Sequence, residues 1–245
     1  MEPRRTAIRG EERLLADVRR PAIVLFDIDG TLIDTGGAGA RSWSSAFELL
    51  YGLKADIGEY TSAGETDPFV ARKTFEAAIG RVPSSDELGR LYAAYLQHLS
   101  HELATPSGYR VLDGVESTLT ALAAVGVTLG LVSGAMEGAA RMKLVPGDLN
   151  RFFVFGGYGS DKPDRAAITE LTVRKAARLH GGPVDPQDIF VVGDTPLDVS
   201  AANAVGVTSV AVASGKYPMD RLREAGPDHA LPSLVDRFPG LSSEP

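Results

Sequence analysis

Ala22-Ile23-Val24-Leu25-Phe26-Asp27-Ile28-Asp29-Gly30-Thr31-Leu32 is the stretch whose reading decides the fold. It opens with an unbroken apolar run, the signature of a strand buried on both faces of a parallel sheet. Two carboxylates, Asp27 and Asp29, follow at its carboxyl end, and Gly30 comes directly after them. In open α/β sheets ligands bind at the carboxyl ends of the strands, so chemistry is expected here. Burying unpaired carboxylates costs roughly several kcal/mol per ion unless a cation or hydrogen-bond donors offset it. The pair therefore implies a metal, a phosphate-binding shell, or both. A strand closed by a plain Asp-Gly turn is the competing reading of the segment, and the rest of the chain argues against it.

Working outward, the same arrangement recurs. The spacing predicts strands over Val127–Val132, Phe152–Phe155, Ile189–Val192 and Ser209–Ala213. These end in Ser133-Gly134, Gly156-Gly157, Gly193-Asp194 and Ser214-Gly215. Helical periodicity runs from Gly114 to Ala124 and from about Arg165 to Leu179. Strands alternating with helices give an α/β fold with a Rossmann-like parallel sheet. The stretch 36–107 breaks this alternation and is helical throughout. Trp43, Phe47 and Leu50 recur at i, i+4 and i+7, and Asp67-Pro68 has the order of an N-cap followed by a first-turn proline. Ser84 and Glu87 have capping-box spacing ahead of the apolar stripe from Leu88 to Leu103. Asp34–Ala40, rich in glycine, and Thr105-Pro106-Ser107-Gly108 bound this stretch as linkers. The expected organisation is an N-terminal extension over 1–20, an α/β core over 21–35 and 108–245, and an inserted all-α cap over 36–107. In the extension, arginines interleave with Glu2, Glu11, Glu12 and Asp17 and no apolar core is present, so neither a transit peptide, poor in acids, nor a signal peptide is expected. A short surface helix from about Glu11, ended by Pro21, is expected there.

Composition excludes several function classes. At 44% hydrophobic and 23% charged residues, the chain of 245 has the balance of a soluble globular protein. Its formal net charge of -7 argues against nucleic acid and anionic membrane surfaces as partners. No apolar run approaches the roughly 20 residues that span a bilayer. Without cysteine there is no disulfide, thiolate nucleophile or Cys-ligated zinc, and a cytoplasmic setting is expected.

Val191-Val192-Gly193-Asp194-Thr195-Pro196-Leu197-Asp198 sets a third aspartate at a strand end and a fourth one helical turn on. Asp27, Asp29 and Asp194 then converge, and a hard divalent cation with oxygen ligands, Mg²⁺ best, answers their charge. Such a site suits phosphoryl transfer, in which catalysis is mostly positioning and neutralisation of charge. One aspartate can act as nucleophile and form an aspartyl-phosphate; its neighbour can serve as general acid and then base. Ser133 offers a hydroxyl and Gly134 a backbone N–H for the transferred group. Either Lys162 or Arg165, near a helix start, supplies the cation.

With those residues assembled, the chain resembles the haloacid dehalogenase-like hydrolase superfamily. Asp27-Ile28-Asp29-Gly30-Thr31-Leu32, Ser133, Lys162 and Gly193-Asp194 with Asp198 carry the resemblance, which spans about residues 21 to 236. Within the superfamily it looks most like the phosphoglycolate-phosphatase-like branch, which inserts a helical cap after the first core strand. The resemblance implies that Asp27 is the nucleophile and Asp29 the acid and base. Ser133 and Lys162 complete the catalytic set, while Gly30, Thr31, Gly134 and Arg165 contact the substrate. Mg²⁺ would be held by the Asp27 carboxylate, the Asp29 backbone carbonyl and Asp194, with Asp198 supporting through water. The chain departs from the family pattern in carrying Ser133-Gly134 where members usually carry Thr-Asn. Lys162-Pro163 matches the family's Lys-Pro signature.

The expected function is a Mg²⁺-dependent phosphatase acting on a small phosphorylated metabolite such as phosphoglycolate. The alternative is a phosphomutase of the same superfamily; behind it stand a haloacid dehalogenase and a non-catalytic binding protein. Other features read as structural. His98, His101 and Glu102 lack a third zinc ligand at suitable spacing, Trp43 belongs to the cap core, and Gly156-Gly157-Tyr158-Gly159 is no dinucleotide fingerprint. Gly64-Glu65-Thr66-Asp67 stands open between an ordinary helix cap and a substrate-selecting segment.

Overall fold

The computed structural model describes residues 19–241. The helix expected from Glu11 lies almost wholly outside them; Arg19 and Arg20, which are described, run as irregular chain. β1 (Ile23–Phe26) is buried along its whole length at the centre of a six-stranded sheet. β4 (Thr128–Ser133) and β5 (Gly156–Tyr158) extend the sheet on one side. β6 (Ile189–Gly193), β7 (Thr208–Val212) and β8 (His229–Leu231) extend it on the other, every pairing parallel. Successive side chains of a strand point to opposite faces. Val24 and Phe26 accordingly join one core cluster, and Ile23 and Leu25 the other.

Parallel strands need cover on both faces, and the intervening helices supply it. The Ile23–Leu25 face packs on Ile168 and Ala176 of α6 (Arg165–His180) and on Ala202 of α7 (Pro196–Val205). The other face packs on Leu119 and Leu122 of α4 (Val115–Ala124) and on Ala139 and Ala140 of α5 (Glu137–Leu144). A short helix, α8 (Met219–Glu224), follows β7. Because the chain leaves β1 in both directions across the sheet, a crevice opens at the carboxyl ends of β1, β4 and β6. Phe26 pairs in register with Leu131 and with Val192. Asp27, Ser133 and Asp194 are therefore neighbours at one edge.

The helical insertion comprises α1 (Ala38–Tyr51), α2 (Asp67–Ile79) and α3 (Ser85–Ala104). Trp43 of α1 stacks on Tyr95 of α3 with ring centroids 4.0 Å apart. A small antiparallel pair, β2 (Ile33–Asp34) with β3 (Arg110–Val111), joins the outgoing and returning chain at the base of the insertion. Gly36 and Gly108 both have positive φ, and the Gly36 position abuts the backbone of Ser107 and Gly108 with no room for a Cβ. That contact is why glycine is needed in both linkers.

Two expectations are corrected. The apolar run Phe152–Phe155 is not a strand: a 3-10 helix over Leu149–Phe152 ends there, Val154 is 85% exposed, and the strand is Gly156–Tyr158. Glycine reads poorly as a strand, yet a Cβ on Gly157 would fall on Thr172 of α6, so close helix–sheet packing selects it. The N-cap of α2 is Thr66 rather than Asp67; its hydroxyl accepts from Phe69 N at 3.4 Å. The last edge strand, β8, and helix α5 carry too few apolar residues in period to be read in advance.

Candidate active site

Asp27 follows β1 directly, its backbone N–H bonded to Val192 O at 2.9 Å, and its side chain is buried. A buried carboxylate calls for a donor. Arg165, the first residue of α6, provides it, with Nη2 at 2.8 Å from Asp27 Oδ1. The same guanidinium bonds Asp198 Oδ1 through Nε at 2.9 Å and through Nη2 as well. Asp198 Oδ2 accepts from Thr195 N at 3.1 Å and from Thr195 Oγ1 at 2.7 Å, closing a capping box at the start of α7. Both Asp198 oxygens are thus engaged. Burial pushes the Asp27 carboxyl up to about 6; the Arg165 charge opposes this and the Asp198 charge adds to it. Arg165 is held above the ordinary arginine value: burial works against its charge, but Asp198 and Asp27 outweigh it.

Asp194, at the end of β6, has the Thr31 hydroxyl as its side-chain donor, Oγ1 to Oδ1 3.1 Å. Burial first, then the charges of Asp27 and Asp198, push its carboxyl up to about 8. Carboxylate oxygens of Asp27, Asp194 and Asp198 lie within 4.8 Å of one another. A buried acid this poorly offset, beside two others, is what a cation would satisfy, and the all-oxygen donor set suits a hard ion. Two glycines make room for it. Gly30 has φ +82, and a Cβ there or on Gly215 would fall on the Asp194 carboxylate.

Ser133, at the end of β4, is buried; its Oγ accepts from Ala135 N at 3.3 Å. Gly134 packs against the segment that precedes α2: an added Cβ would stand 2.5 Å from Glu65 O. An asparagine side chain has no space there, which accounts for glycine in the second motif. Gly64-Glu65-Thr66-Asp67 is docked on the core rather than free. Asp67 N donates to Gly134 O at 2.8 Å, Met136 N donates to Asp67 Oδ2 at 2.8 Å, and Thr66 Oγ1 donates to Pro163 O at 3.1 Å. Burial pushes the Asp67 carboxyl up to about 6, with Lys143 and Met136 opposing.

The structure does not bring Lys162 to this cluster. Lys162 is exposed in the turn before α6 and outside the cavity lining. Asp164 caps α6 by accepting from Ala167 N at 2.9 Å, which turns the next residue, Arg165, inward and leaves Lys162 beyond the cap. Of the two residues, Arg165 is the one that reaches the cluster. A second buried cation escaped the sequence reading. Lys143 of α5 is 7% exposed at its side chain, and its Nζ lies 2.6 Å from Asp29 Oδ2. No usable signal for it stood in the sequence: α5, with Ala139, Ala140, Lys143 and Leu144 buried, is short and poor in large apolar residues. Burial opposes the Lys143 charge, but Asp29, Tyr95 and Asp67 hold it above the ordinary lysine value.

Asp27, Asp29, Asp67, Ser133, Gly134, Lys143, Arg165 and Asp194 line one cavity of about 530 Å³ between the sheet edge and the helical insertion, while Asp198 stands behind it. Trp43, Val70 and Tyr95 form its apolar wall. Residues 24–212 match the family described as haloacid dehalogenase-like hydrolase. The chain belongs to that family. A phosphoglycolate phosphatase of Pseudomonas savastanoi is 31% identical over 241 residues, covering 94% of this chain and 83% of the relative. A phosphoglycolate phosphatase of Rhodospirillum rubrum is 31% identical over 203 residues, 80% of each chain. A solved structure titled as a predicted phosphoglycolate phosphatase from Haemophilus somnus aligns with a TM-score of 0.71 at 21% identity, over 88% of this chain and 96% of that one. The chain is thus an enzyme of the phosphoglycolate-phosphatase-like branch, and its fold is that of the family. No helix among the described residues is long and apolar enough to cross a membrane.

Proposed function

We propose that this hydrolase is a Mg²⁺-dependent phosphatase that cleaves small phosphorylated metabolites through a phosphoryl group carried on Asp27. The observation that carries the reading is the buried set Asp27, Asp194 and Asp198, with no cationic partner for Asp194 among the described residues, opening on a cavity of metabolite size. Asp27 and Asp194, with the Asp29 backbone carbonyl and Asp198 through water, would hold the ion; when bound it supplies positive charge against the phosphate oxygens. The residues 36–107 would act as the cap that encloses the substrate.

Arg165 orients the Asp27 carboxylate for attack at phosphorus. As the Asp27 oxygen–phosphorus bond forms, the ester oxygen–phosphorus bond breaks, and Asp29 gives its proton to the leaving oxygen. Asp29 then takes a proton from water, whose oxygen attacks phosphorus; inorganic phosphate leaves and Asp27 is regenerated. Ser133 Oγ and the Gly134 N–H are donors for the phosphoryl oxygens, as oxyanion chemistry requires. Gly30 borders the same space, and Thr31 stands behind it, its hydroxyl on Asp194.

The test is phosphate release from a panel of phosphometabolites with Mg²⁺ and with chelator, for the wild type and for Asp27→Asn. Release that needs Mg²⁺ and disappears in the variant supports the reading. Full activity in Asp27→Asn overturns it, and isomerised sugar phosphate without free phosphate points instead to a mutase.

A further inference from the structure

Lys143 is the buried cation that the reaction above leaves without a task. An ammonium carries three donors, and among the described residues Asp29 is the one hydrogen-bond acceptor that Lys143 meets. Its other donors open on the cavity. The acid nearby, Asp67, already accepts from Met136 N. Beyond the ammonium the wall is apolar: Val70 and the stacked rings of Trp43 and Tyr95. Since Asp29 serves the leaving oxygen, Lys143 stands on the side of the leaving alcohol, opposite Arg165.

We propose that Lys143 reads the alcohol half of the substrate, its free donors binding an acceptor oxygen on the carbon next to the ester carbon. The preferred substrates are then phosphomonoesters of short compounds carrying a carboxylate or a hydroxyl at that carbon. This rests on the phosphatase reading and names the substrate class of the same site. Tyr95 and Trp43 carry an O–H and an N–H, and Arg110 and Lys216 also line the cavity, but Lys143 is the buried cation beside Asp29, so the preference is assigned to it. A lysine that only held Asp29 in place would affect every substrate alike.

The experiment compares kcat/KM with Mg²⁺ for 2-phosphoglycolate, which carries a carboxylate, ethylene glycol monophosphate, which carries a hydroxyl, and ethyl phosphate, which carries neither. Wild type, Lys143→Met and Lys143→Arg are assayed beside their thermal melts. A charge-assisted hydrogen bond predicts that wild type prefers an oxygenated ester over ethyl phosphate by about ten- to a hundredfold. In Lys143→Met that ratio falls to within about threefold, and Lys143→Arg restores part of it. Whichever oxygenated ester shows the larger ratio identifies carboxylate or hydroxyl as the group that is read. The ratio is taken within one variant, so partial unfolding or a displaced Asp29 does not alter it. An equal loss on all three esters, or a wild-type ratio near one, overturns the assignment of Lys143. If wild type frees no phosphate from these esters or from p-nitrophenyl phosphate, the phosphatase reading fails and this proposal falls with it.

Discussion

Asp27→Asn separates the stability of the site from its chemistry. In the folded, metal-free protein the Asp27 carboxyl sits near 6, raised by burial from an ordinary value of 3.8. A raised carboxyl means that the folded state binds the proton more tightly than the unfolded chain, so ionisation is what folding disfavours. The penalty is absent below about pH 4, grows through pH 6 and is complete by pH 8. At one pKa unit per ~1.4 kcal/mol it reaches about 3 kcal/mol. Asparagine keeps the shape and an acceptor oxygen for Arg165 but carries no charge. In chelator at pH 8 the variant should therefore melt higher than wild type. At about 2–4 °C per kcal/mol for a chain of this size, the gain is on the order of 5–10 °C. It should vanish near pH 4, and phosphate release should be lost at every pH. Calorimetric melts at pH 4, 6 and 8 in chelator, run beside a phosphate assay, test both halves. A variant that melts at or below wild type at pH 8 would refute the burial argument. One that still turns over would refute the nucleophile assignment.

Further outcomes follow from the same geometry. Arg165→Met strands Asp27 and Asp198 without their shared cation; breaking a buried pair costs about 3–5 kcal/mol. Its melting point in chelator at pH 8 should fall by roughly 10 °C, and an unchanged melt would show that the pairing contributes nothing. Because Asp194 sits near 8 without a cation, it is largely protonated at pH 7, and an ion that takes the carboxylate must displace that proton. Mg²⁺ affinity should rise with pH up to about 8, and titration calorimetry at pH 7 in buffers of different ionisation enthalpy should register proton release; buffer-independent heats would contradict it. Gly215→Ala drives a Cβ onto the Asp194 carboxylate. Mg²⁺ binding should weaken at least about tenfold while the melting point stays near wild type; unaltered metal titration would show that Gly215 has no hold on Asp194.

What the sequence made legible is what local patterning governs. Aliphatic runs give β1, β4, β6 and β7, and Ser84 with Glu87 gives the start of α3, where both bonds of the capping box form. The aspartates follow because each sits directly after such a run. What escaped depends on packing between distant segments. Gly156 and Gly157 make a strand only because α6 and Tyr158 press on them. Gly134 stands where the family usually carries an amide because Glu65, distant in sequence, occupies the space that an amide side chain would need. Lys162 and Arg165 are indistinguishable as charges near a helix start, and Asp164 as N-cap decides between them. Lys143 lies on a helix too short to announce itself and more than a hundred residues from the acid it meets.

The distribution of the two buried cations gives the site its polarity. Arg165 joins Asp27 to Asp198, and Lys143 holds Asp29, so two aspartates separated by one residue answer to different partners. Asp194 receives neither cation, its side-chain donor among the described residues being a threonine hydroxyl, and its carboxyl is correspondingly pushed highest, to about 8 against about 6 for Asp27. The missing positive charge is therefore localised beside Asp194 and Asp27, where an ion would face the phosphoryl oxygens. The Lys143 side faces the insertion instead, next to Trp43 and Tyr95. On the proposed mechanism, a chemically identical pair of carboxylates acquires separate duties, attack on one side and proton transfer on the other, from the helices that deliver an arginine and a lysine to them. If Lys143 reads the alcohol as proposed, selectivity belongs to the lysine's side of the cavity, which the phosphorus chemistry leaves free to vary.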